Sequence, residues 1–171
     1  MTPEQRAAQI HLVALDVDGV LTDGRLYYGA QGESLKVFDV RDGHGIRMLL
    51  NQGIEVAILS ARSSEIVATR ARELGIRRVL QGRGDKAEAW RELLAQTVIL
   101  TEHAGFIGDD LPDLPVLAQA GLAATVADAR DEVKNVAHWI APQPGGRGAV
   151  RALAEFILRA KGVAFAELTR G

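Results

Sequence analysis

The sequence predicts an α/β protein built on a doubly wound, mostly parallel sheet. Short apolar runs of strand type alternate with amphipathic helical stretches along nearly the whole chain. Two of those runs, LVAL at 12–15 and IEVAIL at 54–59, carry no strict polar alternation, as expected for strands covered on both faces. Polar residues then collect where the runs end, which is where ligands sit in open parallel sheets.

Taken in order, Thr2 with Pro3 just inside and Gln5 three residues on predicts a short capped helical turn. The run 12–15 is the first core strand; it delivers Asp16 and Asp18 and breaks at Gly19. Two β-like runs, 25–28 and 35–40, flank Gly29-Ala30-Gln31-Gly32 and predict a hairpin inserted on the ligand side. A helix over 45–52 places Ile46, Leu49 and Leu50 at helical spacing and stops at Gly53. Strand 54–59 ends in Ser60-Ala61-Arg62, and a helix over 63–74 turns Val67, Ala71 and Leu74 inward before Gly75. A third strand at 78–80 leads to a helix over 85–95 with Lys86 in its first turn. A fourth, at 106–108, ends at Asp109-Asp110 before a helix over 111–120 that tolerates Pro112 in its opening turn. Short strands at 122–126 and 138–140 surround a helical turn near 131–136. The last helix, 148–161, carries Val150, Leu153, Ala154, Ile157 and Leu158 on one stripe.

Bulk properties narrow the class. The 171 residues, 47% hydrophobic and 25% charged, suit one domain over 1–171, with the hairpin at about 25–40 and a C-terminal helix and tail at about 145–171. A net charge of −2 exerts no global pull toward nucleic acid or a membrane surface. With no cysteine there are no disulfides or thiolate metal sites, so a metal must be held by oxygen or histidine. His11, His44, His103 and His138 lack metal-ligand spacing and read as structural or surface residues. A polar amino-terminal stretch and the lack of a long apolar run predict a soluble, cytoplasmic protein.

Four strand ends thus present polar groups at one edge: Asp16 with Asp18, then Ser60, then Lys86 through its helix start, then Asp109, Asp110 and Asp113. Two acids as close as Asp16 and Asp18 repel each other and call for a cation, a shared proton or open solvent. Plain roles stand beside the chemical ones. Ser60 could cap the helix that follows, Asp110 could be an N-cap or a metal ligand, and Asp113 could orient other groups or complement a helix dipole. Lys86 opposes the dipole of its own helix, which favours a reason for its presence.

The strings DVDGVLTDG, LSAR, GDKAEAW and IGDDLPD resemble, in order and placement, the four motifs of the haloacid dehalogenase-like superfamily of phosphotransferases, which has a Rossmann-like fold. LSAR departs from the commoner T-G-R form but keeps a hydroxyl and an arginine. The resemblance implies Asp16 as nucleophile and Asp18 as acid and base. It implies Mg²⁺ held by Asp16, the backbone carbonyl of Asp18 and Asp109, with Asp110 and Asp113 as further metal or supporting residues. Ser60 and Lys86 would hold the phosphoryl group. The gaps between motifs are too short for a separate cap domain, so the chain resembles a capless member.

Within that group, YYGAQGESLKVFDVRDGHGIR and GGRGAVR resemble the 3-deoxy-D-manno-octulosonate 8-phosphate (KDO 8-phosphate) phosphatases of lipopolysaccharide synthesis. This implies a homotetramer whose hairpins form a central barrel and whose subunits help close one another's sites. Asp39, Val40, Arg41, Asp42, Gly43 and Arg47 would line the sugar side. Arg62 and Arg147 would bind anions, and the glycines around Arg147 predict a mobile segment. Rival readings are a phosphatase of a nine-carbon sialic-acid-type sugar phosphate, a phosphoacceptor regulatory module and a sugar-phosphate-binding module.

Overall fold

A computed structural model describes residues 1–164 and 166; the part of the expected tail at 165 and 167–171 lies outside the described residues. Its centre is β1 (Leu12–Leu15), buried at every position. The strand is flanked by β4 (Glu55–Leu59) and β6 (Ala104–Gly108), both parallel to it, with Leu12 level with Glu55 on one side and Ala104 on the other. Adding β5 (Arg78–Leu80), β7 (Leu122–Thr125) and β8 (Trp139–Ile140) gives a six-stranded parallel sheet of order β5-β4-β1-β6-β7-β8. The chain winds outward from β1 through β4 to β5, then returns to the other side of β1 to lay down β6. The winding therefore reverses between β1 and β6, and such a switch point leaves a crevice beyond the strand ends. Asp16 and Asp109 are the first residues past those two ends.

Helices cover both faces. On α7 (Ala149–Ala160) the predicted stripe Val150, Leu153, Ala154, Ile157 and Leu158 is fully buried, and this helix packs chiefly on α2 (Val40–Asn51). Burying a Leu or Ile side chain contributes about 1.5–3 kcal/mol, so the stripe anchors the helix pair. α1 (Pro3–Ala8) has the expected capping box between Thr2 and Gln5. α3 (Glu65–Leu74) and α4 (Lys86–Thr97) complete the crossovers near β4 and β5.

Three expectations are corrected. The hairpin is β2 (Tyr27–Gly29) with β3 (Gly32–Leu35), so its second strand ends where the run 35–40 was expected to begin. Residues 36–39 are irregular, and α2 begins at Val40 rather than 45. Asp39 caps α2 by accepting from Arg41 N–H at 2.7 Å, and the buried Asp42 accepts from Gly148 and Arg151 N–H at 3.2 and 2.9 Å. A cap and a contact with the start of α7 thus extend the helix over a glycine-containing stretch with no apolar periodicity. The helix expected over 111–120 is a 3₁₀ turn at Leu111–Asp113 followed by α5 (Leu114–Leu117). Pro115 has no N–H to offer the preceding turn, so the two pieces do not merge.

Candidate active site

The site grows from the end of β1. Asp16 N–H donates to the Ile107 carbonyl at 3.0 Å, which binds the strand's exit to β6. Gly19 then turns the chain at φ +97°, a conformation that disfavours a side chain. A Cβ there would lie 2.1 Å from Asp109 Oδ2, so the missing side chain also admits Asp109.

Lys86 arrives from the other side. Asp85 caps α4 by accepting from Glu88 N–H at 2.9 Å, which makes Lys86 the first helical residue. Its side chain is 5% exposed and its ammonium donates to Asp16 Oδ1 at 2.8 Å and Asp113 Oδ1 at 2.5 Å. Asp113 uses its other oxygen to accept from the N–H groups of Asp109 and Asp110 at 2.9 and 3.2 Å. It thus aims Lys86 and shapes the loop carrying Asp109. Asp110 is exposed and caps the 3₁₀ turn through Leu111 N–H. Ser60 is buried beside the site; its Oγ accepts from Arg62 N–H at 3.3 Å, and the cap position of α3 belongs to Ser64.

Asp16, Asp18, Ser60, Arg62, Lys86 and Asp109 therefore line one open cleft of about 250 Å³. Asp16, Asp109 and Asp113 can each place a carboxylate oxygen within 4.8 Å of the other two. Burial, followed by repulsion from Asp16, Asp113 and Asp110, pushes Asp109 up to about 8. Burial and Asp113 raise Asp16 to about 6, with Lys86 opposing them. Burial works against the Lys86 ammonium, but Asp16 and Asp113 outweigh it and raise its pKa. One ammonium thus faces more negative charge than it can neutralise. Hard oxygen donors crowded in this way fit a small divalent cation.

Asp18 lines the same cleft but lies outside this cluster. Its Oδ1 meets the Lys36 ammonium at 2.5 Å and its Oδ2 lies 3.7 Å from Arg62 Nε. Lys36 and its second partner Glu33, at 3.0 Å, went unnoticed in the sequence. The available signal was two opposite charges three residues apart in a hairpin beside the acids.

Several expected sugar-side residues do not reach the cleft of their own chain. Arg41 pairs with Asp39 at 2.6 Å and donates to the Arg147 carbonyl at 3.1 Å, while Val40 is exposed. Asp42 is buried with backbone donors on both oxygens, and Gly43 lies within α2. Arg47 donates to the Glu73 carbonyl at 3.3 Å and lines a different cleft, of about 600 Å³, beside the amino ends of β4 and β5. The segment around Arg147 is also not free-standing. Gly146 N–H donates to the Val20 carbonyl at 2.8 Å, Gly145 N–H to Asp128 Oδ1 at 2.9 Å, and a Cβ on Gly145 would fall 1.8 Å from the Gly19 carbonyl oxygen. The glycines serve close packing against the loop after β1.

Residues 73–153 match the family model described as haloacid dehalogenase-like hydrolase. The 3-deoxy-D-manno-octulosonate 8-phosphate phosphatase KdsC of Yersinia pestis is 49% identical over 92% of this chain and 84% of its own length. The chain belongs to this phosphatase family. The KdsC protein of Escherichia coli K12 is 45% identical over the same shares. Among solved structures of the family, the Yersinia pestis enzyme superposes with a TM-score of 0.91 at 48% identity, covering 94% of this chain and 86% of that one. The Moraxella catarrhalis enzyme, solved in complex with magnesium, phosphate and KDO, gives 0.91 at 41% identity over 94% and 92%.

Proposed function

We propose that this phosphatase hydrolyses KDO 8-phosphate to KDO and inorganic phosphate, through a phosphorylated Asp16, as a step of lipopolysaccharide synthesis in the cytoplasm. The observation that carries the reading is the meeting of Asp16, Ser60, Lys86 and Asp109 in one cleft. Among the described residues no helix is long and apolar enough to cross a membrane, in keeping with that setting. The proposal takes residues 1–171 as one capless domain.

Mg²⁺ is the cofactor proposed, held by Asp16, Asp109 and the Asp18 carbonyl, with Asp113 beside them. When bound, it would neutralise the acids and the phosphoryl oxygens together. An Asp16 oxygen would attack phosphorus as the bond to the sugar oxygen breaks, and Asp18, entering this step as the neutral acid, would give that oxygen its proton. Asp18, now a carboxylate, takes a proton from water; the hydroxide attacks phosphorus, and phosphate leaves with the Asp16 carboxylate restored. Lys86 and Ser60 hold the phosphoryl oxygens while charge spreads over them. Arg62, at the rim, supplies a further cation for an anionic sugar.

For the sugar side we propose a homotetramer joined through the hairpins, in which Asp39, Val40, Arg41, Gly43, Arg47 and Arg147 serve a neighbouring subunit's site. Support comes from large apolar side chains left in solvent on and just after the hairpin, with Tyr28 62% and Val40 79% exposed. Asp42, enclosed between α2 and α7, would hold that segment in place.

The test is phosphate release from a panel of sugar phosphates with and without Mg²⁺. KDO 8-phosphate should turn over fastest and only with the cation. Faster hydrolysis of a nine-carbon acidic sugar phosphate would reassign the substrate, and no hydrolysis of any member would overturn the reading.

A further inference from the structure

We propose that Lys36 is a positioning residue for Asp18: from the segment just after β3 it holds the acid on the leaving-group side, away from the cation-binding carboxylates. The inference rests on the phosphatase reading above.

Lysine has a four-carbon stem and ordinarily swings its ammonium into water. The Lys36 side chain is instead 2% exposed, on an irregular segment just after β3. A charge so enclosed is tolerated only when paired, and this one meets Asp18 Oδ1 at 2.5 Å and Glu33 Oε1 at 3.0 Å. Glu33 is itself held, since its Oε2 accepts from Ser64 Oγ at 2.6 Å at the start of α3. The second Asp18 oxygen faces Arg62, whose guanidinium donates to the Tyr28 hydroxyl at 3.0 Å. The hairpin and the segment that leaves it therefore grip Asp18 twice, Lys36 directly and Tyr28 through Arg62.

Asp16, Asp109 and Asp113 form the group that could share a cation, and Asp18 is outside it. Turned inward, the Asp18 carboxylate would meet like charge or compete for the cation. The pull of Lys36 directs it outward, where the departing sugar oxygen must collect a proton as the Asp16–phosphorus bond forms. An alkyl alkoxide needs that proton. A nitrophenolate leaves without it, so misplacing Asp18 should harm the two substrates unequally.

The experiment compares kcat/KM of Lys36→Met, Lys36→Arg and Asp18→Asn on KDO 8-phosphate and on p-nitrophenyl phosphate, at saturating Mg²⁺. Circular dichroism and sedimentation check fold and assembly. Lys36→Met should lose about 30-fold or more on the sugar phosphate and no more than about threefold on the aryl ester, with the same bias as Asp18→Asn. Lys36→Arg, which keeps a cation, should recover much of the sugar-phosphate activity. Equal losses on the two substrates, or no loss, would overturn the proposal. Should Lys36→Met fail to fold, Lys36→Gln is judged by the same ratio, and unfolding of both variants would make the residue structural and overturn the proposal. Wild-type protein inactive on both esters would instead remove the phosphatase reading itself.

Discussion

Gly19 and Asp109 occupy adjoining space: the Asp109 carboxylate fills the volume that a side chain at position 19 would take. A glycine in the loop after β1 is thus the condition for a carboxylate from the neighbouring strand end to complete the acidic cluster. Gly19→Ala meets both that contact and a φ of +97°. We expect destabilisation of about 1–3 kcal/mol in urea titrations. The Mg²⁺ concentration for half-maximal activity should rise, because Asp109 must move. An alanine variant with unchanged stability and metal dependence would contradict the close fit.

Lys86 lies between two carboxylates that are themselves almost fully buried. Lys86→Met should cost about 3–5 kcal/mol in the metal-free protein, because Asp16 and Asp113 lose their cation while still enclosed. Mg²⁺ should recover part of that stability but not turnover, since the phosphoryl group still lacks the ammonium. Urea denaturation in chelator and in Mg²⁺, with activity measured alongside, separates the two effects. Full activity of the methionine variant would remove Lys86 from the reaction.

Proton linkage makes a prediction about pH. Asp109 and Asp16 ionise near 8 and 6 in the folded chain, against an ordinary value of 3.8. Between those values the native state binds more protons than the unfolded state. Stability contributed by the pair is complete below the ordinary value and is lost as pH rises through 6 and then 8. Metal-free protein should therefore melt at a lower temperature near about pH 8.5 than near about pH 5.5, and Mg²⁺ should raise the melting temperature more at the alkaline end. Thermal melts across this range check both signs; a metal-free melting temperature that climbs with pH would be incompatible with crowded acids.

Asp18 is half-buried and paired with cations, so Asp18→Asn should keep the fold. Turnover of the sugar phosphate should fall by about 10²–10⁴-fold, because an amide neither protonates the leaving oxygen nor activates water. Steady-state kinetics with circular dichroism measures both, and undiminished turnover would displace Asp18 as acid and base.

The acids at 16, 18, 109 and 113, the hydroxyl at 60 and the lysine at 86 could be read in the sequence because each follows a strand-like run or opens a helix. Periodicity is a local property, and in a parallel sheet it brings strand ends to one edge wherever the strands finish. The hairpin boundaries, the early start of α2 and the packing of Gly145 and Gly146 could not be read this way. They depend on partners far along the chain: Arg151 and Gly148 for Asp42, Val20 for Gly146. The contact of Arg47 with the Glu73 carbonyl was hidden for the same reason, since a helical residue's neighbours depend on which way the helix faces.

By itself, then, the sequence determined the order of strands and helices and the donor types available at the sheet edge, since hydrophobic spacing and residue chemistry belong to each stretch alone. Only the tertiary structure decided that Asp18 would face Lys36 while Asp16 faced Lys86. Which cation a carboxylate meets depends on how separate segments approach in space, and no spacing along the chain encodes that approach.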